Sequence, residues 1–314
     1  MPLDQDACYE ALKAKGGAEP TSIQLELAYR SPYAWERIMD FLALRAIPGV
    51  ETVRDDAYWR TVHLPTPSGD EILRGWVSVQ PNEESDCAAI TISSSLLEAI
   101  PQVTERIRHQ FDLDADPLAI AEGLAAFHER IPGKFLPGTR LPGCFDAFEM
   151  CTRAVLGQQI SVKGASTLAG RVARTYGHPI DTPLNELTHT FPSAADIADL
   201  GNSAQDALGS LGIVGARTRT IAVLARALES GELDLSYGAD PAKVVPQLEA
   251  MPGIGPWTAQ YIAMRATGYP DAFPSTDLGV KKALDPLSTR EIETVAEAWR
   301  PWRSYATMSL WSSH

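Results

Sequence analysis

The spacing of apolar residues changes near residue 115, and this change separates two kinds of structure. Before it, apolar and polar residues alternate in short runs, which is typical of half-buried strands. Apolar residues have helical spacing in two places, which predict one helix after Trp35 and a second over residues 94–111. The predicted strands are residues 22–29, 58–64, 73–79 and 88–92. Strands joined by short turns and accompanied by two helices indicate a small α+β layer with an antiparallel sheet.

From residue 117 onward the apolar spacing is helical, and no strand pattern appears. Asp146 is a typical helix N-cap, and Glu149 three residues later fits a capping box. The predicted helices are residues 117–129, 147–156, 161–176, 193–199, 204–209, 216–229, 242–250, 258–267, 278–284 and 289–305. This second part of the chain is therefore predicted to be all-α.

Together these patterns predict three segments. Residues 1–20 form a polar N-terminal extension with a short helix at residues 7–14. An α+β domain, an antiparallel sheet with helices, follows over residues 21–115. An all-α domain occupies residues 116–314. A chain of 314 residues is long enough for two such domains, each with its own core.

The composition is that of an ordinary globular protein, with 45% hydrophobic and 21% charged residues. No apolar run approaches the ~20 residues of a membrane span. The N-terminus is acidic and lacks the apolar core of a signal peptide. We therefore expect a cytoplasmic protein with no membrane partner. The four cysteines are scattered, which favours reduced thiols over a disulfide framework or a metal cluster.

The net charge of −13 argues against a generic nucleic-acid binder, because such proteins are usually basic. A protein that holds only a few phosphates, largely through backbone amides, can tolerate an acidic surface. Its affinity for DNA would then be low and would depend weakly on salt.

A glycine-rich turn between two apolar helices is the most informative local pattern. It reads Met-Pro-Gly-Ile-Gly over residues 251–255, and a helix with an apolar stripe follows from Thr258. Gly253 and Gly255 suit a turn with positive φ or close backbone approach. Bare amides beside a helix N-terminus can bind a phosphate. The pattern is that of a helix–hairpin–helix; an ordinary inter-helix turn is the alternative.

Several separated motifs resemble the helix–hairpin–helix DNA glycosylases, and within them the AlkA-type DNA-3-methyladenine glycosylases. The resemblance covers about residues 22–313. Its motifs are the hairpin, Leu-Pro-Gly-Cys-Phe-Asp-Ala-Phe-Glu at residues 141–149, Ala-Val-Leu-Gly-Gln-Gln-Ile-Ser-Val at 154–162, Phe-Pro-Ser-Thr-Asp at 273–277 and Trp-Arg-Pro-Trp-Arg-Ser-Tyr-Ala at 299–306. The resemblance implies base excision repair: alkylated bases are flipped out of double-stranded DNA and removed.

The resemblance implies that Asp277 is the catalytic carboxylate. Cleavage of an N-glycosidic bond passes through a sugar cation, and a carboxylate beside that cation stabilises the transition state. The same carboxylate could instead orient or deprotonate water. An N-cap for the following helix is the structural alternative, and it is compatible with either role.

The resemblance also implies a pocket for the extruded base, lined by aromatic residues. Trp257 and Tyr261 lie four residues apart, so they share one helical face. Electron-rich ring faces attract a positively charged alkylated base. The implied pocket residues are Trp257, Tyr261 and Trp311, with Phe41 and Arg45 from the N-terminal domain at its edge. Core packing is the alternative for all five. Leu278 replaces an aromatic residue that the family often has after the catalytic aspartate.

Implied contacts to DNA lie in two loops. The hairpin supplies Gly253, Ile254, Gly255 and Thr258, which position a phosphate without reading sequence. Gln159 stands where the family inserts a wedge into the gap left by the flipped base, although the family's wedge is commonly apolar. A solvated loop residue is the alternative for Gln159.

No cofactor is expected to be required. By the same resemblance, a structural monovalent cation could bind the hairpin through the backbone carbonyls of Glu249, Met251 and Ile254. Strand-cutting relatives carry a lysine nucleophile near the position of Trp257, so this chain is expected to be monofunctional. We expect a monomer associated with the nucleoid. Two alternatives stay open: deaminated bases such as hypoxanthine or uracil as substrates, and a non-catalytic DNA-binding protein.

Overall fold

The computed structural model describes residues 21–311; the predicted extension and its helix at residues 7–14 lie outside them. A five-stranded antiparallel sheet has the strand order β1-β5-β4-β3-β2. Its strands are β1 (Ser22–Ala28), β2 (Glu51–Arg54), β3 (Ala57–Pro65), β4 (Ile72–Asn82) and β5 (Cys87–Ser93). The four predicted strands are all present.

Strand β2 was not predicted, because four residues are too few to show a clear alternation of apolar and polar positions. It pairs with β3 through the two-residue turn Asp55-Asp56, whose φ angles are 52° and 56°. Two consecutive residues with positive φ form the turn type that suits a tight hairpin. The sequence signal for such a turn is normally Asn-Gly or Asp-Gly, and two aspartates carry it less distinctly.

Fourteen α-helices accompany the sheet in the described part of the chain. They are α1 (Trp35–Arg45), α2 (Ile100–Gln110), α3 (Pro117–Gly123), α4 (Ala125–Arg130), α5 (Ala147–Leu156), α6 (Val162–Tyr176), α7 (Ala194–Ala198), α8 (Ala204–Gly209), α9 (Gly215–Glu229), α10 (Pro241–Glu249), α11 (Pro256–Ala266), α12 (Leu278–Ala283), α13 (Thr289–Ala296) and α14 (Arg303–Trp311). The predicted fold class, an α+β region followed by a helical one, is confirmed. None of these helices is both long and apolar enough to cross a membrane.

Three predicted helices are interrupted. The helix at 94–111 begins as a 3₁₀ segment, Ser94–Ala99. The helix at 117–129 breaks at Leu124, next to Gly123, where a Cβ would lie 2.3 Å from the ring of Trp302. The helix at 289–305 breaks before α14 because Pro301 cannot continue a helical hydrogen-bond ladder.

The structure has two apolar cores, and each contains residues from both sides of position 115. The first joins the inner face of the sheet to α1, α2 and the C-terminal helices α13 and α14. The second lies among helices α5, α6, α9, α10 and α11. The chain therefore returns to the sheet at its C-terminal end, and the region between the two cores becomes a cleft.

A buried ion-pair network connects the sheet to the helical part. Arg60 on β3 donates to Glu149 on α5 at 2.8 Å, and both side chains are at most 4% exposed. Arg153, one turn later on α5, pairs with Glu149 at 2.7 Å and with Glu51 on β2. Arg153 also donates to the backbone carbonyl of Arg45 at 2.7 Å, which fixes the end of α1.

The predicted capping box, in which Asp146 and Glu149 bond to each other's backbone amides, is only half formed. Asp146 caps α5 as expected, accepting the amide of Glu149 at 2.7 Å. The Glu149 carboxylate, however, faces the two arginines instead of returning to the backbone of Asp146. A buried carboxylate is stabilised far more by two guanidinium groups than by one amide, so the tertiary partners prevail.

A partly buried carboxylate, Asp112, lies in the loop between α2 and α3. One oxygen of Asp112 accepts the amide of Leu141 and the hydroxyl of Tyr305, both at 2.9 Å. Burial raises the pKa of Asp112 to about 7, although both hydrogen bonds oppose the rise. The folded chain therefore keeps this carboxyl mostly protonated at pH values below about 7.

The variant Asp112→Asn is expected to flatten the pH dependence of stability. A folded-state pKa above the ordinary 3.8 means that the folded chain binds the proton more tightly than the unfolded chain does. This contribution to stability is complete below about pH 4 and is lost as the pH rises through about 7. The Tm of the unmodified protein should thus fall more between about pH 5 and pH 8 than that of the variant. Equal slopes in thermal melts would contradict the assignment.

Candidate active site

A cleft of about 1200 Å³ lies between the two cores. Its wall is formed by side chains from α1, α5, α11 and α14, by the loop at residues 157–161 and by the start of α12. The cleft brings together Arg45, Gln159, Gly253, Trp257, Thr258, Tyr261, Asp277 and Trp311. These positions are spread over 267 sequence numbers, from 45 to 311, so only the tertiary fold makes them neighbours.

The hairpin has the geometry that its glycines suggest. Gly253 has φ +86°, and a Cβ there would lie 2.1 Å from the hydroxyl of Thr220. Gly255 precedes α11 and is exposed, and within residues 21–311 no neighbouring heavy atom lies within 4 Å of where its Cβ would be. Ile254 between them is only 5% exposed and anchors the turn in the second core. The hairpin thus presents backbone amides to solvent while its apolar side chain is buried.

A glutamine that the sequence analysis did not single out joins the wedge loop to the hairpin. The side-chain amide of Gln158 donates to the Gly253 carbonyl at 2.9 Å and to the Thr258 hydroxyl at 3.1 Å. Arg217 holds the backbone carbonyl of Gln158. The following Gln159 is exposed, with φ +58°. The sequence shows two adjacent glutamines at positions 158 and 159, but it does not show which side chain turns towards the hairpin.

Asp277 accepts four hydrogen bonds. Its Oδ1 receives the amides of Gly279 at 2.8 Å and Val280 at 3.1 Å, so it is the N-cap of α12. The same oxygen accepts the indole N–H of Trp311 at 2.8 Å. Oδ2 accepts the indole N–H of Trp257 at 2.9 Å. Cap and candidate catalytic roles therefore coincide in a carboxylate whose orientation is determined from both sides.

The aromatic residues form a continuous surface around this carboxylate. The Trp257 and Tyr261 rings are nearly parallel, with an interplanar angle of 12° and centroids 5.3 Å apart. Trp311 meets Tyr261 edge-on at 6.0 Å and lies parallel to Phe41 at 6.4 Å. Phe41 is 8% exposed and supports the wall from behind, so it is a core residue as well as a neighbour of the cleft. Leu278, by contrast, is 72% exposed at the rim.

Two arginines act on the phenol of Tyr261. Arg265 donates to the Tyr261 hydroxyl at 2.9 Å. Arg45 is the second cation, and its guanidinium carbon stacks 3.7 Å from the centroid of the Phe41 ring. Burial alone would raise the pKa of Tyr261, but the charges of Arg265 and Arg45 outweigh it and lower the pKa. Arg265 carried no signal in the sequence beyond its position on an apolar helix.

A hairpin with exposed amides, beside a carboxylate surrounded by aromatic side chains, defines a helix–hairpin–helix protein with a candidate catalytic cleft. Family models match both parts of the chain: the AlkA N-terminal domain over residues 24–146, and the helix–hairpin–helix superfamily of base excision DNA repair proteins over residues 152–303. The DNA-3-methyladenine glycosylase 2 of Escherichia coli is 34% identical over 285 residues, which are 91% of this chain and 95% of that protein. The chain belongs to the AlkA-type family of helix–hairpin–helix DNA glycosylases.

A longer relative shares more of the sequence. The probable bifunctional transcriptional activator and DNA repair enzyme AlkA of Mycobacterium tuberculosis is 40% identical over 313 residues and 98% of this chain. The matched region covers 59% of that relative's length.

Solved structures share the fold at low sequence identity. The 3-methyladenine DNA glycosylase of Archaeoglobus fulgidus has a TM-score of 0.75 at 20% identity and covers 92% of this chain and 97% of its own. The 8-oxoguanine glycosylase/lyase of Clostridium acetobutylicum, in complex with double-stranded DNA, has a TM-score of 0.64 at 17% identity, with 89% and 90% covered.

The paired indole bonds can be tested without assuming any activity. Asp277→Ala removes the acceptor of both indoles, so the N–H resonances of Trp257 and Trp311 should shift in a heteronuclear NMR spectrum. Trp59 and Trp76 pack against each other on the sheet, at 5.4 Å, and should keep their resonances. Unchanged signals at Trp257 and Trp311 would show that the bonds do not form in solution.

Proposed function

We propose that this protein is a monofunctional DNA N-glycosylase that excises alkylated bases in base excision repair. One observation carries the proposal: the Asp277 carboxylate, oriented by two indole donors, opens onto a cleft with aromatic walls. Membership of the AlkA-type family supports the same activity. The substrates are alkylated bases of the 3-methyladenine and 7-methylguanine type in double-stranded DNA.

The chemistry follows from where charge develops. A base must leave the duplex stack to reach such a cleft, and the unstacking is least costly at a damaged pair. The aromatic faces of Trp257 and Tyr261 attract a cationic base. The N-glycosidic bond then breaks, and the base leaves with the bonding electrons. Asp277 stabilises the positive charge that appears on the sugar. Water then adds at the same carbon and releases a proton to solvent.

On this proposal the protein binds DNA mainly through its own backbone amides. Gly253 and Gly255 present amides to a phosphate at the start of α11, where the helix dipole favours an anion. Ile254 and Thr258 are buried, so their side chains support the hairpin and only their backbone groups face the DNA. Gln159 enters the gap left by the base, and Gln158 fixes that loop to the hairpin. This grip needs few cationic side chains, in keeping with the net charge of −13.

A monovalent cation at the hairpin is part of the proposal. The Met251 carbonyl already accepts the Ile254 amide at 3.2 Å, but a carbonyl oxygen has a second lone pair. On this proposal the carbonyls of Glu249, Met251 and Ile254 bind an oxygen-preferring ion, which would add positive charge beside the phosphate. No other cofactor is proposed. The protein would act as a monomer in the cytoplasm, at the nucleoid.

Asp277→Asn is expected to abolish base excision while the fold persists. Asparagine is as good an N-cap as aspartate, but it is neutral and cannot stabilise a sugar cation. Release of 3-methyladenine and 7-methylguanine from methylated DNA should fall by at least about a hundredfold. Asp116→Asn is the matched control, because Asp116 caps α3 through two backbone amides at 3.1 Å, well away from the cleft. Near-normal excision by the Asp277 variant would overturn the catalytic assignment.

The unmodified protein should leave abasic sites intact. Among residues 21–311, no lysine lines the cleft, and Trp257 donates to Asp277 from the place where strand-cutting relatives have their nucleophile. A labelled duplex with one lesion should therefore break only after alkali is added. Cleavage without alkali would contradict monofunctional chemistry. DNA binding with no base release at all would instead indicate a non-catalytic binder.

A further inference from the structure

Helix α11 leads from the carboxylate to a cationic region of the same cleft. Trp257, Tyr261 and Arg265 occupy successive turns of one face, with about 6 Å of helix rise between neighbours. Trp257 donates to Asp277, whereas the Tyr261 hydroxyl accepts from Arg265 at 2.9 Å. The cleft is therefore polarised, and a base inside it meets aromatic faces with guanidinium groups at one edge.

The donors of Arg265 are already committed. Its guanidinium donates to the backbone carbonyls of Pro142 and Gly143 as well as to Tyr261. The residue is 5% exposed. Arg265 thus holds the loop before α5 against α11, and it has little capacity left for a ligand.

Arg45 differs from Arg265 in this respect. It lines the cleft, and within residues 21–311 no carboxylate lies within the 4 Å of an ion pair. Its hydrogen bond to the backbone carbonyl of Phe41 is long, at 3.4 Å, and its guanidinium stacks on the Phe41 ring. Of its five N–H groups, several remain available to a ligand.

The position of Arg45 is nevertheless well determined. Its own carbonyl accepts Arg153 at 2.7 Å and the Ser166 hydroxyl at 3.2 Å. Burial lowers the pKa of Arg45. Tyr261, which is also a hydrogen-bond partner of Arg45, opposes the fall, and the nearby cation of Arg265 adds to it. A fixed, partly desolvated donor that has no anionic partner within residues 21–311 is suited to a hydrogen-bond acceptor on a ligand.

We infer that Arg45 is a specificity-determining residue that favours purines with a carbonyl oxygen at C6 over purines with an amino group there. A guanidinium can only donate, so it bonds a 6-oxo group and leaves donors facing donors at a 6-amino group. Sites that bind through buried polar groups discriminate strongly, because the wrong substrate leaves those groups unpaired. The inference rests on the proposed glycosylase activity and adds to it a substrate preference.

Methylated DNA supplies an internally controlled test. It contains 7-methylguanine and 3-methyladenine, which are both cationic purines and differ at C6 by oxygen against nitrogen. Arg45→Met keeps the length and apolar packing of the side chain but removes its donors. The ratio of 7-methylguanine to 3-methyladenine released in single-turnover reactions should fall about tenfold relative to the unmodified protein, which corresponds to ~1.4 kcal/mol. In the same variant, excision of hypoxanthine, a neutral 6-oxo purine, should also decrease relative to excision of 3-methyladenine.

Arg45→Lys provides the second variant. It keeps a charge and one donor group without the planar fork, so its ratio should lie between those of the unmodified protein and Arg45→Met. If both rates fall together in either variant, Arg45 is structural and the inference is overturned; an unchanged ratio overturns it as well. Release of neither base by the unmodified protein would instead reject the proposed function itself. The Lys variant keeps the test decisive if the Met variant does not fold, which thermal melts will show.

Discussion

The buried network of Arg60, Glu149, Arg153 and Glu51 is the interaction on which the cleft depends. Burying four ionised side chains is costly unless each finds opposite charges with good geometry, and here two cations alternate with two anions. Loss of one member would leave an uncompensated charge in the interior, which costs about 3–5 kcal/mol. The network joins two strands to α5, so it determines how the sheet meets the helical part of the chain.

The same network reaches the candidate active site through one backbone bond. Arg153 belongs to the ion pairs and also holds the carbonyl of Arg45. Since α1 ends there, the placement of Phe41 and Arg45 against α11 follows from ion pairs deeper in the protein. The N-terminal α+β region thus contributes a wall of the cleft as well as a structural support.

Asp277 is both the N-cap of α12 and the carboxylate of the candidate catalytic cleft, and the combination has a physical reason. A carboxylate at a helix N-terminus is held in a single orientation by backbone amides. The indoles of Trp257 and Trp311 add two donors from separate helices. These donors hold the carboxylate in place in the free protein. The proposed function relies on this arrangement, because transition-state stabilisation requires groups that are oriented in advance.

Local patterns in the sequence determined the type and order of most elements. Helix α5 begins and ends where predicted because Asp146 supplies its cap and the apolar spacing is regular. The hairpin was recognisable because Gly253 needs a positive φ that other residues rarely adopt. Asp277 and the aromatic residues were found through motifs, and their assigned roles stay predictions.

Only the tertiary structure decided what depends on distant partners. Glu149 satisfied a local capping pattern, yet its carboxylate faces arginines from β3 and α5, because buried charge seeks opposite charge. No periodic or spacing pattern in the sequence predicts the inward turn of Gln158 or the hydrogen bonds of Arg265. The same holds for the lack of an ion pair at Arg45 in the part of the chain that the structure describes. They arise where α1, α5 and α11 meet, and that meeting is a property of packing between elements far apart in the chain.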